Sequence, residues 1–119
     1  MLPRGKETVN NREIKNIMKS IENLNACKKV ARKIRKDIMD MMGGVLKGEY
    51  LLVTQIGLKA VSLSIVSKKD RYITSFMVKY VTAVMRNYEL IYDPGVIFGV
   101  STYGKDNLPC IRISVMVTL

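Results

Sequence analysis

Lys28, Lys29, Arg32, Lys33, Arg35 and Lys36 put six cations into nine residues. Cations at this density are the footprint expected of a face that holds a polyanion, because each contact with a phosphate releases a condensed counterion. At about 100° per residue they fall on the arc of a helix opposite Cys27, Val30, Ala31, Ile34, Ile38, Met41 and Met42. Like charges this close repel, and an ordinary solvated face avoids that by mixing in acids. Asp37 and Asp40 lie at the edge and the C-terminal end of the arc, where they are expected to offset it poorly. A polyanion-binding face is therefore expected here, with a merely solvated helix face as the alternative.

Lys68, Lys69 and Arg71 add cations around Asp70, at the expected start of a later helix, where the backbone itself favours anions. Aromatics that could stack on bases are few. Tyr92 and Tyr103, the latter beside a Gly104–Asn107 turn, are the candidates, while Phe76 and Tyr80 are expected in the core. No strand pairs two aromatics on one face as RNA-recognition sheets do, which favours backbone and shape contacts over base reading.

Much chemistry is excluded by what the chain lacks. It has no histidine, so it carries no Ser-His or Cys-His nucleophile and no histidine metal site. Cys27 and Cys110 cannot make a structural zinc site by themselves and are expected reduced and buried. The acids outside the expected helices, Glu49, Glu89, Asp93 and Asp106, form no strand-borne Glu-x-Lys pair of the nuclease kind. Glu13-Ile14-Lys15 has that spacing but sits on a helix, where a capping role suffices. Gly43-Gly44 and Asp93-Pro94-Gly95 read as a helix stop and a turn, not as a phosphate loop. The expectation is a non-enzymatic protein with no cofactor and no metal.

The 119 residues amount to one domain, and a hydrophobic fraction of 48% suffices for a core. The net charge of +10 is uneven: +7 up to Lys47 and +3 beyond. Such a balance attracts nucleic acid or an anionic membrane surface. The basic helix has no Trp or Phe on its apolar stripe, and that stripe is expected to cover the sheet, so membrane binding is not expected. No apolar run approaches the roughly 18–20 residues of a membrane span, and the first residues lack a signal-like stretch. An intracellular site follows, host cytoplasm or virion if the protein is viral.

The positioning elements read as follows. Residues 1–10 form a polar basic arm and 11–119 a single domain. Asn10 caps a first helix carrying Ile14, Ile17, Met18 and Ile21, which breaks at Asn23-Leu24-Asn25; a second runs from Cys27 to Met42 and stops at Gly43-Gly44. Residues 49–54 and 59–67 form a hairpin. A third helix, Arg71–Arg86 capped by Asp70, buries Ile73, Phe76, Met77, Tyr80 and Val84. Residues 88–92, 96–103 and 110–119 are strands. The fold class is α+β: a two-layer, mostly antiparallel sheet with helices on one face, in the order α-α-β-β-α-β-β-β. Strand 110–119 alternates cleanly and is expected at a sheet edge, where it pairs with a second copy into a homo-oligomer, with a central place in the sheet as the alternative.

Residues 61–104, strand–helix–strand ending in Gly99-Val100-Ser101-Thr102-Tyr103-Gly104-Lys105, resemble the small protein subunits of archaeal and eukaryotic ribonuclease P. That family has a strand before its first helix and a helix after this segment, whereas this chain has a leading helix and a closing strand. The element order is also similar to that of phage tail-terminator proteins. Neither resemblance assigns a residue. The functional expectation is a nucleic-acid-binding protein, DNA or RNA, of a virus, mobile element or ribonucleoprotein; the alternative is a structural or assembly subunit.

Overall fold

The computed structural model describes residues 11–46, 48–68, 73–89 and 93–117. Helix α1 spans Asn11–Leu46, strands β1 and β2 span Tyr50–Ile56 and Ala60–Ser67, helix α2 spans Ser75–Met85, and strands β3 and β4 span Gly95–Tyr103 and Leu108–Met116. Two helices on one face of a four-stranded antiparallel sheet make this a two-layer α+β fold.

One helix stands where two were expected. Asn23 and Asn25 cost only a few tenths of a kcal/mol each in a helix interior, and no proline intervenes. Leu24 joins the buried row of Cys27, Ala31, Ile34 and Ile38, so packing carries the helix through the expected break. Gly43-Gly44 is not the stop either. The left-handed residue after the helix is Gly48, at φ 84°.

The sheet order is β1-β2-β4-β3. β1 and β2 form a hairpin closed by the Gly57 N–H donating to the Ala60 carbonyl (2.8 Å). β3 and β4 form a second hairpin around Gly104 (φ 74°) and Asn107 (φ 50°), the turn expected from Gly-Lys-Asp-Asn. β4 pairs with β2 on one side and β3 on the other. The expected dimerising edge is therefore wrong: the backbone of 110–116 is used on both sides, and β1 and β3 are the edges.

In-register partners share a face. Val61, Leu63 and Ile65 of β2 and Ile111, Ile113 and Val115 of β4 meet Cys27, Ala31, Ile34 and Ile38 of α1 and Met77, Val81, Val84 and Met85 of α2 in one core. Thr74, with Asp70 lying outside the described residues, caps α2: its hydroxyl accepts from the Met77 N–H (3.3 Å). The helix starts at Ser75, not Arg71, and its buried face is turned from the expected one. Phe76 is 69% exposed and Tyr80 is also exposed, because Met77, Val81 and Val84 take the inward row. Arg86–Tyr88 is a turn of 3-10 helix and Glu89 a turn, not the start of a strand; the rest of the expected strand 88–92, residues 90–92, lies outside the described residues.

Tyr88 is buried, and its hydroxyl donates to the Asp37 carboxylate, which fastens the end of α2 to α1. Burial, then that bond, raises its pKa. Cys27 and Cys110 are free and buried as expected, and burial pushes both thiols up, out of the reactive range at neutral pH.

Candidate nucleic-acid interface

The cations of α1 do not share one face. Lys28 and Lys33 are five residues apart, which at about 100° per residue sets them some 140° apart around the axis. Three groups result, each with its own surroundings.

Lys28, Arg32 and Arg35 occur at i, i+4 and i+7 and so form one row along the helix. The row faces the β1 edge of the sheet. Arg35 donates through Nη1 to Thr54 Oγ1 (2.8 Å), with the Leu52 carbonyl beyond at 3.4 Å. Between helix and strand lies a cleft of about 160 Å³. Ala31, Ile56, Val61 and Leu63 give it an apolar floor, and the three cations and Thr54 give it a polar rim. Arg35 is thus held by β1, while Lys28 and Arg32 have no acidic partner among the described residues.

Lys29 and Lys36 point away from the sheet and are exposed. Lys36 makes an ion pair with Asp40 (3.0 Å), one turn on, and that hydrogen bond raises its pKa. Asp40 is therefore better placed to offset the arc than expected, since i and i+4 are neighbours on a helix. Lys33 is on the far flank, its Nζ 6.0 Å from the centroid of the Tyr88 ring. Asp37 beside it is engaged by the Tyr88 hydroxyl.

The remaining candidates are not gathered here. Lys68 is exposed beyond the end of β2, its N–H bonded to the Glu49 carbonyl (2.9 Å). It follows Leu63, the partner of Thr54, by five residues, or about 17 Å along the strand. Tyr103 is half-buried at the end of edge strand β3, opposite Leu108 and on the face of the sheet away from the helices. Lys69, Arg71 and Tyr92 lie outside the described residues.

Two cations were missed by the sequence reading. Lys59 sits at the β1–β2 hairpin tip beside Ser20, Asn23 and Leu24 of α1 and extends the basic side toward the helix N-terminus. Arg112 lies on the helix-free face, where its Nη2 donates to the Thr102 carbonyl (2.8 Å) and the side chain crosses the row of Cys110. Ser64, Val66 and Cys110 are buried on that face, which is less solvated than a run of small polar residues suggests. Nothing in the sequence marked Lys59; only the hairpin brings it to the helix.

Among the described residues no group of three or more Cys, Asp or Glu is placed to hold a metal ion, and no helix is long and apolar enough to cross a membrane. Comparison with protein-family models, with curated proteins and with solved structures found no match. What fold and site define is a class only: a two-layer α+β domain with a cation-rimmed cleft between its long helix and one sheet edge.

Proposed function

We propose that this protein is a non-enzymatic nucleic-acid-binding protein that grips the phosphate backbone with the Lys28–Arg32–Arg35 side of α1, helped by Lys29. The observation that carries the reading is the row itself: three cations in line at the mouth of one cleft, none of them with an acidic partner among the described residues. Phosphate contacts made this way position a nucleic acid without reading its sequence. On this reading Lys33 and Lys36 contribute less, because Tyr88 and Asp40 already engage them. The protein then works where nucleic acid is, in a cytoplasm or a virion.

The test is a salt series of binding to DNA and RNA of arbitrary sequence. About four phosphate contacts should cost roughly 10²-fold in affinity between 50 and 200 mM salt. Absence of binding at low salt, or binding indifferent to salt, overturns the proposal.

An assembly subunit is the second reading, and the exposed Ile97 and Val100 on edge strand β3 favour it. Rings or open-ended oligomers forming without nucleic acid would support it over the first.

A further inference from the structure

The leading turns of α1 are bare. Residues 11–22 are all exposed, and among them Ile14 (43%), Ile17 (58%), Met18 (56%) and Ile21 (55%) present large apolar side chains on one side of the helix. Their intervals are three, one and three residues, so the stripe reads the same in both directions. Three cations and two acids over 11–22 leave this stretch at only +1, in a chain of net +10.

We infer that this face docks on the same face of a second copy, the two helices antiparallel about a two-fold axis between Ile17 and Met18. Ile14 then meets the second copy's Ile21, and Ile17 its Met18, so one patch is complementary to itself as a two-fold interface requires. The four half-exposed side chains offer roughly 400 Å² per copy, and with the flanking stems the pair reaches about the 1,000 Å² at which specific interfaces begin. Electrostatics selects the antiparallel arrangement. A parallel pair would set the two Lys28–Lys36 segments side by side. The antiparallel pair puts each Arg32 about 22 Å from the axis at 1.5 Å per residue, and the two about 44 Å apart, well beyond a Debye length of roughly 8–10 Å.

The experiment is light scattering on the full chain without nucleic acid, so that its result is independent of the proposed function. Wild type at tens of micromolar is expected to be a dimer. Ile17→Lys is expected to be monomeric and still folded by circular dichroism, since Ile17 is exposed within one copy, with its melt lowered only by the loss of the dimer. Chains carrying Ile14→Cys, mixed with chains carrying Ile21→Cys, are expected to oxidise to the mixed dimer and little to either homodimer; native Cys27 and Cys110 are buried and do not compete. A monomeric wild type overturns the inference. So does a dimer that survives Ile17→Lys, crosslinking of either cysteine variant with itself, or a monomer that uses this face to pellet with phosphatidylserine vesicles.

Discussion

Arg32 and Lys36 are one turn apart on the same helix, yet their surroundings give them different expected roles. Arg32 has no acidic partner among the described residues, whereas Lys36 is already neutralised by Asp40. On the proposed reading, Arg32→Ala should weaken nucleic-acid binding on every sequence and lower the slope of log affinity against log salt by about one. Lys36→Ala should change that slope less, because a lysine already paired with Asp40 makes fewer contacts with phosphate; filter binding across a salt series compares the two. Tyr88 gives a second residue-scale expectation. Its folded pKa lies above its unfolded value near 10, so the stability it lends is complete below about pH 10 and is lost as the pH rises beyond it. Cys27 and Cys110 are raised too and add to the same alkaline loss, starting lower. Tyr88→Phe should cost about 1–2 kcal/mol at pH 8, by breaking a charge-assisted bond to Asp37, and should make urea stability fall less steeply above pH 10. Equal losses for both proteins between pH 8 and pH 10.5 would mean the hydroxyl is not buried as described.

At the scale of the element, α1 decides most of the layout, and its continuity can be tested by the sign of a substitution. Gly43 lies inside the helix, and a Cβ there would meet nothing within 4 Å. Gly43→Ala should therefore stabilise by about 0.5–1 kcal/mol. Gly48, at φ 84°, should lose roughly 1–2 kcal/mol on the same change. If Gly43 were the left-handed stop that its sequence context suggests, both would destabilise, and thermal melts decide. Asn25→Pro should cost about 3 kcal/mol or more, since it breaks a helix interior. The expected break at Asn23-Asn25 has a visible origin. Ile14, Ile17, Met18 and Ile21 point about 120° away from Cys27, Ala31, Ile34 and Ile38 around one axis, at 100° per residue. Two stripes out of phase look like two helices. They are one helix with a buried half and a bare half.

The whole molecule is long for its size. Its radius of gyration is 18.1 Å, against about 13.5 Å for a globule of this length, and its extents are 62 × 34 × 19 Å. The cause is α1, whose 36 residues span about 54 Å, while the body it packs on covers only the later part. Residues 11–22 are all exposed, and among the described residues the body reaches them only at Ser20, beside Lys59 of the β1–β2 hairpin. The central place of β4 has its own test. Val115 is fully buried and paired to Val61 and Val96, so Val115→Lys should unfold the domain, losing more than about 3 kcal/mol by burying an unpaired charge. A folded but dissociated Val115→Lys protein would put β4 at an interface between copies instead.

Local physics was legible in the sequence: the alternation of 61–67 and 111–115, the turns at Gly57 and Gly104–Asn107, and the apolar row Cys27, Ala31, Ile34 and Ile38 of α1. Each depends on residues within a turn or two of one another, and a period of 2 or 3.6 reports them directly. The Lys36–Asp40 pair belonged to this class and was readable from its spacing. Three further outcomes were not local. Strand order depends on which backbone finds a partner on both sides, and alternation looks the same in a central strand and an edge. Which side of α2 faces inward shows only in the packed core, where Val81 and Met85 are buried and Phe76 and Tyr80 are not. The cleft at the β1 edge exists only because Thr54 and Ile56 come to lie beside Lys28, Arg32 and Arg35, more than seventeen residues away in the chain for every such pair. Composition determined that this protein carries excess positive charge; the packing of one long helix across one sheet decided where that charge lies.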